Sequence, residues 1–514
     1  MSYSGKTYKV DFKDGGFSAN NNIDAIKPTA MLLAKNITLN KGGRGSRGGS
    51  TKVNSTAVSG APRIMGLFDF QLASSAFQVF GCDDGKLYKN STTTIKTAMS
   101  TANHFNFEVF DNELYICDGD TVPQTWDGSA AGTSDLTTPS ADWTGSDNPF
   151  QAIAHGRGAS RRMWYLFDDA VYYSTLSNAK EVSGGTSGKI TFDTGDAVGL
   201  KGAVEFGDRL FVFSRNKSFV VDDSNADKTY WGYQAAQWGG GAAHWRLIVK
   251  TENDVVVMTE AGDIYSVLAA QEYGDYKLAS LTKPAFMDRW IQDNVRLGYI
   301  DHFHAVYDPT ERAIYFNVVL NGETTVSTSL VYYVDRNPED AWVIHDNTES
   351  ASGYDASCSA VVRISTGVYK IYTGDYLGFI RKLNQSSKND DSGAYYSGFK
   401  TPYINLDDPR TTKLFKRIFL TVKAEGAFDL QVKYFIDGQY KGTGTVSLAG
   451  AGDVFDTGVF DTATFAGIDL IEGCLDIGET GKRIQVEIFN TNADEDFFVS
   501  AMLIDFKPLG RKPE

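Results

Sequence analysis

Between about residue 62 and residue 385 one pattern recurs: an apolar strand-like run, a short polar turn, and a second run carrying an aromatic. Its instances are FQVFGCDDGKLYK, FEVFDNELYICDGDTVPQTW, MWYLFDDAVYYS, AVEFGDRLFVFSRNKSFVV, VVVMTEAGDIYSV, AVYDPTERAIYFNVV and VYKIYTGDYLGFIRK. Their predicted turns are Asp84-Gly85, Asp111-Asn112, Asp168-Asp169, Gly207-Asp208, Gly262-Asp263, Pro309-Thr310 and Gly374-Asp375. Asp and Asn hydrogen-bond to nearby backbone in tight turns, and Gly adopts positive φ without a steric penalty. Hairpins recurring at roughly 30 to 60 residues point to a β-propeller of six or seven irregular blades. The repeats share shape rather than letters. There is no WD set, no kelch Gly-Gly array and no Asp-box, and a lone Trp126-Asp127 is not a WD repeat.

The rest of the chain of 514 residues fits an all-β reading. Its 51 glycines and 13% aromatic residues suit strands joined by tight turns, and a hydrophobic fraction of 42% supports a sizeable core. A formal net charge of −15 argues against general affinity for nucleic acid, which needs clustered Lys and Arg. No run of about 18 apolar residues predicts a membrane span. The opening MSYSGKTYKVDFKDGG lacks a signal-peptide layout, so folding in a cytoplasm is expected. Cys82, Cys117, Cys358 and Cys474 have no short spacing and read as reduced, buried thiols.

Three regions follow from the pattern. Residues 1–60 are polar and Gly/Asn-rich, with a short helix predicted at PTAMLLAKN and the coreless stretch KGGRGSRGGSTK. They read as an extended N-terminal arm, ordered by lying on a neighbouring domain or subunit, and dispensable for folding of the propeller. Residues 61–385 form the propeller. Within it, Phe286/Trp290 and Met287/Ile291 predict an inserted helix over 283–297. Residues 386–514 form a C-terminal β-sandwich. There Phe428, Leu430, Val432, Tyr434 and Ile436 alternate with polar neighbours, as do Ile484, Val486 and Ile488, and a last strand runs near Met502, Ile504 and Phe506.

Catalytic patterns are scarce. His302 and His304, two apart in DHFHAVY, would share one face of a strand, with His244 and His345 as further donors, but a metal site needs more ligands than spacing supplies. QWGGGAAHW lies between strands and reads as a bend rather than a phosphate loop. The pairs Asp83-Asp84, Asp168-Asp169 and Asp222-Asp223 read as turn-shaping carboxylates. The expectation is a non-enzyme without metal or cofactor. Two small basic clusters, Arg44 and Arg47 on the arm and Lys413, Lys416 and Arg417 further on, read as contacts to an acidic neighbouring subunit.

Several segments in order resemble the propeller-bearing hub or nozzle proteins in the tails of short-tailed bacteriophages. DGGFSANNNIDAIKPTAMLLAKNITLNKGGRGSRGG is similar to that family's opening, through Gly15, Gly16, Ala34, Asn36, Arg47 and Gly48. Cys117, Asp118, Gly119, Trp126, Asp127 and Gly128 resemble an early blade, and YYVDRNPEDAWVIHD a late one in which Trp342 closes the edge. The resemblance implies a homohexameric ring in the virion tail, synthesised in the host bacterial cytoplasm. It also implies a tail adaptor or portal-proximal protein above and tail needle or fibre proteins adjacent. Genomic DNA would pass through during ejection without specific binding. An acidic channel wall would keep DNA off the surface, with Asp222 and Asp223 as lining candidates. The alternative is a propeller-fold carbohydrate-binding protein or glycoside hydrolase.

Overall fold

The computed structural model describes residues 5–510 apart from 21–25, 40–41, 91–92, 138, 141–142, 144–146, 157–159, 196–197, 226, 237–239, 274–278, 424–427 and 450–469. The chain is mostly β, arranged as many small antiparallel sheets in a propeller-like series. Each unit is a meander whose first strand is followed immediately by its hairpin partner. The first strands are Ile64–Gln71, Asn106–Phe110, Gln151–His155, Leu200–Phe206, Ile248–Lys250, His304–Asp308 and Ala356–Ser365. Each packs beside the first strand of the next unit, and Ala356–Ser365 packs against Ile64–Gln71.

The predicted turns sit where their chemistry suits. Asp111 and Asn112, at φ 49° and 64°, join Asn106–Phe110 to Glu113–Cys117, and Gly207 and Asp208, at 58° and 61°, join the hairpin of the fourth unit. Two successive residues in the left-handed region match the right-handed twist of the flanking strands. One turn is displaced. Gly374 and Asp375 end the strand Val368–Asp375, and the reversal spans 376–379. Asp375 organises that loop as an acceptor, its Oδ1 receiving the amides of Leu377 and Phe379 at 2.9 and 2.8 Å.

The N-terminal segment departs most from the expected arm. It is threaded through the body of the chain as five strands: β1 (Lys6–Asp11), β2 (Leu33–Lys35), β3 (Ile37–Thr38), β4 (Arg44–Ser46) and β5 (Gly49–Lys52). β1 pairs with Phe498–Gly510. β2 lies between Trp342–Asp346 of the sixth unit and Ser397–Lys400, fusing that unit with the C-terminal strands into one nine-stranded sheet. β3 and β4 join the sheet of Thr412–Lys423, and β5 is the fourth strand of the seventh unit, with Arg381 opposite Lys52. Val10, Phe12, Met31, Ala34 and Ile37 are buried, so the segment carries core residues of its own. The helix expected at PTAMLLAKN is instead a turn followed by β2. Its local apolar run yields to strand pairing on both sides, a tertiary override of helix propensity.

The C-terminal residues form two sheets that share a core. Thr412–Lys423, Leu470–Gly481 and Phe498–Gly510 belong to one, and Ser397–Lys400, Asp429–Ile436, Gln439–Ser447 and Ile484–Asn490 to the other. The alternating residues Leu430, Val432, Ile436, Ile484, Val486, Ile488, Met502 and Ile504 are buried in a single apolar cluster with Phe399, Ile37, Phe316 and Leu330. Burying each such side chain contributes about 1.5–3 kcal/mol, so the cluster ties the N-terminal strands, the sixth unit and the C-terminal sheets together.

The inserted helix is shorter than expected, Met287–Asn294, with Met287 and Ile291 as its buried face. Phe286 precedes it at φ 58°. His302 closes a 3₁₀ turn, Leu297–His302, whereas His304 opens a strand, so the two do not share a strand face. Cys82, Cys117 and Cys358 are buried, but Cys474 is exposed on Leu470–Gly481 because that strand turns alternate residues to solvent. Residues 237–239 of the Gly-rich QWGGGAAHW lie outside the described residues. Among the described residues no helix is long and apolar enough to cross a membrane.

Candidate functional site: the central recess

Among the described residues, the first strands of the units border polar space rather than a sealed core. Neighbouring strands are riveted by side chain to backbone bonds. Asn106 Oδ1 accepts the Ala152 amide at 2.9 Å, Gln151 bonds both the amide and carbonyl of Ala203 at 2.9 and 3.0 Å, and Ser357 Oγ donates to the Ile64 carbonyl at 2.6 Å. Between the strands lie three cavities of about 470, 350 and 340 Å³, all bordered by Trp245.

The largest opens at the ends where the first strands begin, beside the exposed residues Asn103, Asp168 and Asp301. Arg63 and Lys201 bring positive charge to it, and His104, His244 and His302 bring imidazoles. Two tautomers follow from local bonding. His104 Nδ1 lies 2.9 Å from the Met65 carbonyl, an acceptor only, so Nδ1 carries the proton and Nε2 is a bare acceptor. His244 caps the 3₁₀ turn Trp245–Leu247, its Nδ1 accepting the Arg246 amide at 3.2 Å, so Nε2–H is a donor. Burial, reinforced by the charge of Arg246, holds His104 well below the ordinary imidazole value and pushes His244 down to about 3. His302 is lowered by burial and by Arg63 and Arg246. The imidazoles are therefore neutral near pH 7.

Behind them Arg246, only 7% exposed, borders the two deeper cavities. Its guanidinium donates to the carbonyls of Ser357 at 2.6 Å and Asp301 at 3.4 Å, and no carboxylate among the described residues forms an ion pair with it. Burial lowers its pKa to about 10. Further in, Glu205 pairs with Lys250 at 2.7 Å, and desolvation raises Glu108 to about 7. Asp118, at the mouth, is occupied by the amides of Ser100, Asp120 and Thr121 and the Thr121 hydroxyl. Among the described residues no group of three His, Cys, Asp or Glu side chains is placed to hold a metal ion.

Of the residues singled out from the sequence, His244, His302, Asp118 and Asp168 meet at the mouth of the recess, while the others lie elsewhere. Arg44 and Arg47 are corrections to the expected subunit contacts, because both are buried within their own chain. Arg44 donates to the carbonyls of Gly15 and Thr29 and sits 4.4 Å over the Phe12 ring. Burial and the nearby Arg336 lower its pKa to about 9. Arg47 pairs with Asp390 at 2.5 Å, donates to Asn36 Oδ1 and lies 4.0 Å over Tyr395. Burial works against its charge, and Asp390 overcomes it, raising the pKa. Lys413 is likewise buried, donating to the carbonyls of Thr411 and Lys482 at 3.1 and 2.9 Å. Only Lys416 and Arg417 are exposed, and Arg417 pairs with Asp476 at 2.7 Å.

Asp222 ends the third strand of the fourth unit, exposed and accepting from Ser224, while Asp223 lies 3.2 Å from His155. Trp126 is buried against Phe70 and Phe77 and donates to the Ala130 carbonyl. Asp127 accepts the amides of Ser129 and Ala130, and Gly128 turns at φ +81°. Trp342 is fully buried and donates to the Leu281 carbonyl at 3.0 Å. His304 Nε2 lies 3.0 Å from Ser359 Oγ, and His345 Nε2 2.9 Å from the Ile37 carbonyl. The recess itself was missed. Its signal is positional: Arg63, His104, His244 and His302 each stand just before the first strand of a unit, or one short turn ahead of it.

No family model and no curated protein matches the chain. Solved structures with a similar backbone path include YCF48 from Cyanidioschyzon merolae, at 9% identity and TM-score 0.39, covering 65% of this chain and 98% of that one. The computationally designed Ika8 protein matches at 9% identity and TM-score 0.36, over 63% of this chain and 96% of that one. The extracellular domain of the putative hybrid two component system BT3049 from B. thetaiotaomicron matches at 9% and 0.43, over 78% of this chain and 48% of that one. At these scores they add no argument about function.

Proposed function

We propose that this chain is a structural virion protein of a bacteriophage tail, of the hub or nozzle type, and not an enzyme. In this reading it is a seven-bladed propeller whose last blade is completed by β5, carrying a C-terminal sandwich. The observation that carries the reading is the nine-stranded sheet running from the sixth unit through β2 into the C-terminal strands. A hinge between the two parts would have suited independent motion. A continuous hydrogen-bonded sheet suits a body that transmits force as one piece. The buried junction residues Asn36 and Arg47, with Gly15 and Gly16, are among those on which the resemblance to tail proteins rests.

The partners proposed are copies of itself in a homohexamer, an adaptor or portal-proximal protein, needle or fibre proteins, and DNA in transit. With Arg44, Arg47 and Lys413 withdrawn into the chain, Lys416 and Arg417 are the remaining basic contact candidates. Asp222 is the freer of the two channel candidates. A reconstruction of assembled tails tests the proposal: six copies around an acidic lumen are expected, and one copy or none ends it. The central recess favours a second reading, a ligand-binding propeller of the carbohydrate-binding kind. Of the three carboxylates bordering the mouth of the recess, Asp118 is already saturated with donors and is poorly placed to serve a hydrolase.

A further inference from the structure

We propose that the mouth of the central recess binds a small hydroxylated carboxylate, a sugar acid, with its carboxylate held by Arg63 and Lys201. Three observations carry this. The first is charge. Arg246 is a buried guanidinium satisfied only by backbone carbonyls, and Lys201 has no ion pair among the described residues. Arg63 reaches Asp83 only at 3.9 Å, and its Nε is buried without a hydrogen-bond partner. Arg63 and Lys201 border the same cavity from different units, and a guanidinium and an ammonium are both suited to a carboxylate. Buried cations are ordinarily compensated by an anion, and Arg246 forms no ion pair among the described residues.

The second is the neutral polar set. His104 presents a bare Nε2 and His244 an Nε2–H, one acceptor and one donor, with the Asn103 amide beside them. Such a mixture reads hydroxyl groups, which both donate and accept, better than it reads a bare inorganic anion. The third is size. About 470 Å³ bordered by Trp245 and Phe150 accommodates a ring and not merely an ion, and the mostly polar lining suits a hydroxylated ligand. Asp118, Asp168 and Asp301 also border the mouth. Asp118 spends its oxygens on its own loop, while Asp168 and Asp301 stand exposed at the rim, where solvent screens them.

The inference rests on the recess and not on the tail reading, so failure of ring assembly and failure of binding are separate results. The test is calorimetric titration of the full chain with D-glucuronate, D-galacturonate and N-acetylneuraminate, with D-glucose and sodium acetate as the carboxylate-free and ring-free comparisons. Saturable binding of at least one sugar acid is expected, with glucose and acetate each weaker by about tenfold or more. Lys201→Met and Arg63→Met, each verified by an unchanged circular dichroism spectrum, should weaken that binding by a similar factor. Lys201→Met is the safer variant, since among the described residues that side chain forms no hydrogen bond or ion pair and acts only electrostatically on His244. Absence of saturable binding by all three acids overturns the proposal. So does binding of glucose equal to that of the acid, or a folded Lys201→Met chain that binds as well as the original.

Discussion

At the scale of single residues, the chain's buried charges divide into those with a counter-ion and those without. Arg47 and Asp390 are one paired case, with Ser50 and Asn36 completing the bonds, and Arg381 with Asp375 is another. Removing one partner strands the other, so Arg47→Met and Asp390→Asn should each cost about 3–5 kcal/mol in chemical denaturation. Replacing both with apolar residues should recover much of the loss, and an additive double variant would contradict this coupling. The histidines make a second prediction. His104, His244, His304 and His345 are all lowered by burial, His244 and His345 to about 3. Below the ordinary value of 6.5 the unfolded chain binds protons that the folded chain refuses, so stability falls as pH drops. Glu108 acts oppositely: raised from 4.5 to about 7, it costs stability as pH rises through that window. His302 is lowered as well, and five histidines stand against the four raised carboxyls Glu108, Asp254, Asp340 and Asp355. A net loss on acidification is therefore expected, and the thermal midpoint should fall between pH 7 and pH 5. His345→Gln should shrink that fall, and a flat profile would count against the burial of these imidazoles.

At the scale of elements, most of the hairpins were legible and the N-terminal strands were not. Turn chemistry is local: Asp111-Asn112 and Gly207-Asp208 announce themselves because their backbone conformation depends on those residues alone. The alternation at Leu430, Val432 and Ile436 is equally local. β2 through β5 carry no such period, since their partners are remote strands, and a polar run such as RGSRGGS becomes core only when Asp390 and the sheet of Phe498–Gly510 enclose it. The recess was illegible for the same reason, being assembled from short stretches of several units that are remote in sequence. Gly15 shows how tight the threading is. At φ +101°, a Cβ there would stand 1.9 Å from the Thr29 carbonyl oxygen. Gly15→Ala should therefore destabilise by roughly 1–3 kcal/mol or more, read from denaturant midpoints. Deleting residues 1–52 should go further and prevent cooperative folding. It strips the seventh unit of its fourth strand and the nine-stranded sheet of its bridge. A truncated chain that melts like the full one would show that the strands are ornamental.

At the scale of the whole molecule, the shared apolar cluster and the bridging strand predict a single unfolding event. Scanning calorimetry should give one transition for the propeller-like series and the C-terminal sheets, with calorimetric and van't Hoff enthalpies in agreement, whereas two resolved peaks would mean the parts are thermodynamically separate. The pairing of Lys52 with Arg381 has a consequence in time as well as in space. During synthesis β5 leaves the ribosome early and finds its partner only after nearly the whole series has been made. β1 waits longer still, for Phe498–Gly510. The contacts that finish the molecule are thus among the most distant along the sequence, and closing such loops slows folding. Until then the nascent chain displays unpaired strand edges that invite wrong partners, so crowding of unfinished chains is expected to lower the yield of folded protein.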